Sequence, residues 1–117
     1  MNNRFHLKTR YCDKSGCSFY TRHYAKGGIY IGIQSDSEYG PEPWMDVTVN
    51  LGNAVPAGMI AVKSYSENEG LLEFLQELGF ITRIYKTVDS GFVEVPVCEY
   101  SETVLKKYCA EPERDGG

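Results

Sequence analysis

Apolar and polar residues alternate along several short stretches that turn-forming residues separate. In residues 29–34, isoleucines alternate with polar or small residues, and residues 45–51 repeat this pattern. A two-residue period places apolar side chains on one face of a strand. The predicted elements are strands at 3–12, 17–25, 29–34 and 45–51, with loops at 13–16 and 35–43. Their short connections predict an antiparallel meander, because parallel pairing needs long crossovers.

A helical pattern follows these strands. Ser66-Glu67-Asn68-Glu69 matches a capping box, in which the Ser oxygen and the Glu side chain each accept a backbone N–H bond at the start of a helix. Leucines then recur at helical spacing, at Leu71, Leu72, Leu75 and Leu78. Gly79 tolerates the left-handed geometry that ends many helices. We expect this helix to cover one face of the sheet.

The last third of the chain predicts a second hairpin, with strands at residues 81–88 and 92–100 around a turn at 89–91. Pro96 favours an edge position for its strand, because proline cannot donate to a ladder. Ser101 can cap a short final helix with Val104, Leu105 and Tyr108 on its apolar face.

These elements together predict an α+β fold. The predicted fold has a mostly antiparallel sheet of about six strands, one main helix packed on one face, and a short C-terminal helix. We expect a single domain over residues 1–110 and a flexible polar tail over residues 111–117.

The composition is that of one water-soluble domain: 117 residues, 42% hydrophobic, with a formal net charge of −4. The chain contains no run of 18 apolar residues and no apolar segment after its first residues, so we expect neither a membrane span nor a secretory leader, and a cytoplasmic location. Residues 1–26 carry six basic residues against one acidic residue, whereas residues 27–117 carry six against fifteen. We expect folding to neutralise much of this asymmetry, and the acidic total disfavours direct nucleic-acid binding.

Four cysteines, Cys12, Cys17, Cys98 and Cys109, are the first candidates for chemistry, because four thiolates suit a tetrahedral zinc site. Cys12 and Cys17 flank the predicted loop and would face each other across the hairpin. Cys98 and Cys109 are separated by ten residues, without zinc-knuckle spacing. Three interpretations therefore stay open: a structural zinc held by all four, reduced free thiols, or a disulfide if the environment is oxidising. No other cofactor is indicated.

The candidate partner-binding residues are acidic and aromatic. Glu69, Glu73 and Glu77 recur every four residues on the predicted helix, and would form one acidic stripe. Such a stripe is either a solvated face or a surface that imitates the phosphate spacing of a nucleic acid. Tyr20 and Tyr24 belong to a tyrosine-rich first hairpin, and tyrosine is enriched at protein interfaces. Catalytic motifs such as a phosphate-binding loop or a nucleophile elbow are absent from the sequence, so we expect a binding protein rather than an enzyme.

From Tyr24 onward the chain resembles a small bacterial family, domain of unknown function 4313. The resemblance rests on three segments in order: Met45-Asp46-Val47-Thr48-Val49-Asn50-Leu51, Glu77-Leu78-Gly79 and Ser90-Gly91-Phe92. It implies a protein carried by conjugative elements, plasmids or phages, a setting that also contains small acidic inhibitors of restriction and CRISPR systems.

The resemblance and the acidic residues together suggest a function. We expect a small non-enzymatic anti-defence protein of a phage or mobile element, which binds a CRISPR nuclease such as Cas9 and blocks nucleic-acid access. The alternative is an accessory protein of a mobile element that binds a conjugation or regulatory partner, with or without a stabilising zinc.

Overall fold

The computed structural model describes residues 3–25 and 27–109. These residues form β1 (Phe5–Lys8), β2 (Asp13–His23), β3 (Ile29–Ser35), β4 (Glu42–Asp46), β5 (Met59–Ala61), α1 (Leu71–Leu78), β6 (Ile81–Ser90), β7 (Val93–Tyr100) and α2 (Glu102–Lys107). All pairs between these strands are antiparallel, which confirms the α+β class with one main helix and a short C-terminal helix. The structure describes seven strands, one more than the six predicted. The sequence did not predict β5, because a strand of three residues is too short to show a two-residue period. The predicted tail lies outside the described residues.

The strands form two sheets that a short segment joins. The first sheet has the order β1-β2-β3-β4, and the second has the order β5-β7-β6. Thr48 forms an isolated bridge with Val62, and the Lys63 N–H donates to the Val47 carbonyl at 2.7 Å. The Val47 N–H in turn donates to the Ile31 carbonyl at 2.9 Å. The Val49 N–H also donates to the Ala61 carbonyl of β5 at 3.0 Å, so the chain after β4 is hydrogen-bonded to both sheets.

The main core lies between the sheets and the helices. Its members include Phe19 and Ile33 from the first sheet, Cys98 from the second, Leu75 from α1 and Leu105 from α2. Ala61, Val95 and Val97 form a smaller core on the opposite face of the second sheet. Side chains alternate between the two faces of a strand, so β7 is covered on both sides.

The first hairpin turns earlier than the sequence predicted. The predicted loop at residues 13–16 and the pairing of Cys12 with Cys17 are wrong, because β2 begins at residue 13 and Phe5 lies opposite Cys17. The turn occupies residues 9–12. Burial of apolar side chains fixes the register of a strand, and this register places Phe5 in the main core.

The fourth strand also lies earlier than predicted. It spans Glu42–Asp46 rather than residues 45–51, and it includes Pro43, which the prediction placed in a loop. β4 is an edge strand of the first sheet, where the missing N–H of a proline need not face a neighbour. After Asp46 the chain leaves β4 and joins the two sheets.

The predicted capping box at Ser66 is not formed. Ser66 begins a single 3-10 turn with a φ of +55°, and no side chain caps that turn. The α-helix begins only at Leu71, after Gly70, and its Leu72 N–H donates to the Ser64 hydroxyl at 2.9 Å. Gly70 supplies a φ of +93°, a backbone conformation that a side chain disfavours. The predicted end of the helix at Gly79 is confirmed.

Pro96 lies in the central strand of the second sheet, so its predicted edge position is wrong. The Pro96 carbonyl accepts a bond from the Val62 N–H at 2.9 Å. The proline nitrogen therefore faces the same side, just beyond the last residue of the short strand β5. Proline cannot donate a hydrogen bond, but here the missing bond falls at the end of the β5–β7 ladder, so the pairing of the other residues is unaffected.

Candidate functional site

The four cysteines do not form one cluster among the described residues. Cys12 lies in the first turn, where its sulfur accepts a bond from the Trp44 Nε1–H at 3.0 Å. Cys17 and Cys98 are fully buried, one in each sheet, and Cys109 follows α2. All four are free thiols, and no three His, Cys, Asp or Glu residues among the described residues are placed to hold a metal ion. The structure therefore does not assemble the four-cysteine site.

Burial controls the chemistry of the two core thiols. It raises the pKa of the Cys17 thiol and raises the pKa of Cys98 to about 11, because a thiolate loses its hydration in an apolar environment. Thiols of this kind are weak nucleophiles at neutral pH.

The predicted acidic stripe is divided. Glu69 precedes α1 and pairs with Arg10 at 3.0 Å, so it does not continue the helix face. Glu73 and Glu77 lie on α1, and both are exposed. Arg4 likewise pairs with Asp36 at 2.9 Å, so cations of the basic N-terminal segment meet carboxylates from elsewhere in the chain, as the sequence predicted.

Tyr20 lies on the outer face of the first sheet. Its ring packs against Tyr30, with the centroids 5.8 Å apart, and both rings lie over Gly32. A Cβ atom at Gly32 would lie 2.6 Å from the Tyr20 ring, so a larger residue here would displace the tyrosine rings. The Tyr30 hydroxyl donates to Asp46 at 2.5 Å. Burial and this bond to a carboxylate raise the pKa of Tyr30.

A groove of about 420 Å³ opens beside these residues. We call it the aromatic–acidic groove; it is lined by Tyr11, Cys12, Tyr20, Pro43, Trp44, Met45, Asp46 and Glu67. Tyr11 and Trp44 expose 64% and 44% of their surfaces. Exposed aromatic rings in a concave site are typical of binding hot spots. Of the residues predicted to bind a partner, only Tyr20 lines this groove.

Three segments that are distant in sequence build the groove. The turn between β1 and β2 supplies Tyr11, β4 supplies Trp44, and the 3-10 turn before α1 supplies Glu67. The Arg10 N–H donates to the Glu69 carbonyl at 3.3 Å, which ties the first turn to the segment before α1. The Asn68 side chain donates to the Asp46 carbonyl at 2.7 Å, which ties that segment to β4. One backbone hydrogen bond and one side-chain hydrogen bond therefore hold the three walls together.

Each aromatic ring of the groove carries a cation from the same chain. Arg10 lies 5.4 Å from the Tyr11 centroid and Arg22 lies 5.1 Å from the Tyr20 centroid. Lys14 lies 4.7 Å from a ring centroid of Trp44. None of these three cations lines the groove. The charged side chains that do line it are carboxylates, Asp46 and Glu67.

The sequence contained one sign of this groove that our predictions did not use. Trp44 is the only tryptophan of the chain, and it follows the polar segment Pro41-Glu42-Pro43. Prolines are rare in central strands because they cannot donate a backbone hydrogen bond, so a tryptophan that follows two prolines is a candidate for an exposed position. Tyr11 and Glu67 carried no comparable signal, because only folding brings them to Trp44.

A second, larger groove of about 890 Å³ lies at the other end of the first sheet. The turn after β2, the segment from Val49 to Ala61, and Tyr100 form its walls. Tyr24 lines this groove and bonds to the Thr48 hydroxyl at 3.1 Å. Tyr20 and Tyr24 therefore line different grooves, although both rings pack against Tyr30, with centroids 5.8 and 6.2 Å away.

The comparisons with known proteins identify a family. A model of the family described as domain of unknown function (DUF4313) matches residues 18–113, which confirms the resemblance. The matched range includes four residues of the aromatic–acidic groove: Tyr20, Trp44, Asp46 and Glu67. Tyr11 precedes the matched range. No curated protein and no solved structure matches the chain. Neither described helix has the length and apolar character needed to cross a membrane.

Proposed function

Because this chain belongs to the DUF4313 family, whose description states no activity, we propose a function from its surface. The chain is a small non-enzymatic anti-defence protein of a phage or mobile element. It acts in the cytoplasm of the host, where it binds a CRISPR nuclease such as Cas9 and blocks nucleic-acid access.

The aromatic–acidic groove carries this proposal. Nucleases hold nucleic acid in channels lined by arginine and lysine. A surface with exposed rings and carboxylates complements such a channel in charge, and its aromatic residues can be buried there. Trp44 and Tyr11 would be the anchors, and Asp46 and Glu67 would supply the complementary charge.

The carboxylates of α1 are a second acidic element of the proposed interface. Glu73 and Glu77 are exposed, and neither forms an ion pair with another described residue. Glu69 does not line the groove and pairs with Arg10, so it is left out of the proposed interface. The proposed interface therefore keeps two residues of the predicted stripe and adds the groove.

A native pull-down tests the proposal. The full chain is used to capture proteins from a host that expresses several CRISPR effectors and restriction enzymes, and any recovered nuclease is assayed for DNA cleavage. We expect a CRISPR nuclease whose cleavage is blocked at a one-to-one ratio. Recovery of a relaxase or a repressor without a nuclease would favour the mobile-element accessory function instead.

Variants then locate the interface. Trp44→Ala should weaken inhibition by about tenfold or more, as expected for a tryptophan hot spot. Glu73→Lys with Glu77→Lys should weaken it several-fold. Matched controls lie on the second hairpin, where Phe92→Ala and Glu94→Lys make similar changes at exposed positions and should leave inhibition unchanged. Equal losses in both sets, or none in the first, would contradict this interface.

A further inference from the structure

We propose that the aromatic–acidic groove binds an arginine side chain of the partner protein. This inference deepens the proposed function, and it rests on that function for the existence of a protein partner. It adds the chemical group that the groove recognises.

The aromatic rings favour a planar cation. The groove presents the indole of Trp44 and the phenols of Tyr11 and Tyr20. A guanidinium stacks on such rings, whereas an ammonium interacts with them only as a point charge. The same chain already places guanidinium groups on two of the rings, Arg10 on Tyr11 and Arg22 on Tyr20. Lys14 also places an ammonium on Trp44, and none of these cations lines the groove, so the ring surface that faces the groove is left for a cation of the partner.

The carboxylates favour the same ligand. Asp46 accepts one bond from the Tyr30 hydroxyl, and a carboxylate has about four acceptor sites in all. Glu67 accepts one bond from Lys63 at 2.7 Å, and this cation lowers the pKa of Glu67, so its carboxylate stays ionised at neutral pH. Both side chains can accept further N–H bonds, and the fork of a guanidinium donates two in parallel.

The charge of the groove also selects against a nucleic acid. A nucleobase could stack on Trp44 and Tyr11, but its phosphates would approach the carboxylates of Asp46 and Glu67. Like charges at an interface are strongly unfavourable. The volume of about 420 Å³ lies in the lower part of the range of roughly 300–1,000 Å³ that small ligands occupy. A single side chain entering from a partner surface meets all of these conditions.

The sole tryptophan gives a direct measurement, because the fluorescence of Trp44 reports on the groove alone. The full chain is titrated with three short glycine-rich peptides that differ at one position: arginine, lysine or citrulline. Citrulline keeps the shape of arginine without its charge. We expect saturable binding of the arginine peptide, weaker binding of the lysine peptide, and a loss of about ten- to one-hundred-fold with citrulline.

Variants tie the signal to the groove. Glu67→Gln and Tyr11→Ala alter exposed side chains, and each should weaken binding of the arginine peptide at least several-fold. Phe92→Ala removes an exposed ring elsewhere and should change nothing. Circular dichroism checks that every variant is folded. Equal affinity for the arginine and citrulline peptides, equal affinity for arginine and lysine, or no saturable binding would each overturn the inference.

The same experiment separates this inference from the proposed function. If the chain inhibits a nuclease but does not bind the arginine peptide, the inference fails and the proposed function stands. If the chain binds the arginine peptide but recovers no nuclease, the arginine site stands and the proposed nuclease target fails.

Discussion

The hairpin β1–β2 packs into the main core, whereas the hairpin β6–β7 leaves one of its two strands exposed. In β2, Cys17 and Phe19 have no exposed surface, and the adjoining turn is tied by Arg10 to the segment before α1. In β6, residues 82–87 are all exposed, and Phe92 in the turn is fully exposed. Two hairpins with similar sequence patterns therefore differ in burial: the first contributes to the main core, whereas the second leaves β6 exposed.

The difference explains where the candidate site lies. The tied turn of the first hairpin fixes the backbone beside Tyr11, so this wall of the groove is organised before a partner arrives. Preorganisation of this kind reduces the entropy that binding costs. The second hairpin has no comparable tie at Phe92 among the described residues. Its edge strand β6 instead carries Arg83, Lys86 and two register shifts, features that discourage pairing with another chain.

One substitution in each hairpin tests this contrast directly, and the substitution in the first hairpin has the largest expected effect. Phe19→Ala should lower the free energy of unfolding by about 3–5 kcal/mol, because it leaves a cavity in the main core. Phe92→Ala should change it by less than about 0.5 kcal/mol. Urea denaturation measures both. Comparable losses would mean that Phe92 is packed and that the hairpins do not differ.

A smaller effect concerns α2, which follows the second hairpin and is hydrogen-bonded to β2 at its end. Ser101 follows β7, and its hydroxyl accepts a bond from the Val104 N–H at 3.1 Å, which caps α2. The backbone carbonyl of Tyr108, the residue after α2, accepts a bond from the Phe19 N–H at 2.8 Å. Ser101→Ala should therefore cost about 1 kcal/mol and should speed hydrogen exchange at the Phe19 amide.

Ser66→Ala is the matched control for this cap. No side chain caps the turn at Ser66, so its replacement should change stability by less than about 0.5 kcal/mol. A loss at Ser66 equal to that at Ser101 would show that the predicted capping box forms in solution.

A further effect appears only at alkaline pH and concerns the buried strand of the second hairpin. Burial raises the pKa of Cys98 from 9.0 to about 11, so the folded state holds the thiol proton more tightly than the unfolded state does. This contribution to stability is present below about pH 9 and is lost as the pH rises towards 11. Denaturation midpoints between pH 8 and 10.5 should fall more for the native chain than for Cys98→Val. Parallel pH profiles would show that Cys98 is already accessible.

Local patterns were sufficient to predict much of the fold. Alternation predicted β3 and the second hairpin, the leucine spacing predicted α1, and the Ser101 cap and Gly79 end were both confirmed. These signals act between residues close in sequence, where backbone geometry and side-chain period decide the outcome. The register of the first hairpin was not predictable in this way. It depends on the burial of Phe5 against residues far along the chain.

The candidate site belongs to the tertiary structure. The sequence by itself determined the types of residue available: one tryptophan, many tyrosines and an acidic excess. Folding decided that Glu69 meets Arg10, that Tyr20 and Tyr24 line different grooves although both pack against Tyr30, and that the four cysteines do not form one metal site among the described residues. It also brought Tyr11 to Trp44. Contacts between distant segments depend on strand order and on the turns that tie them, and no local period in the sequence encodes either.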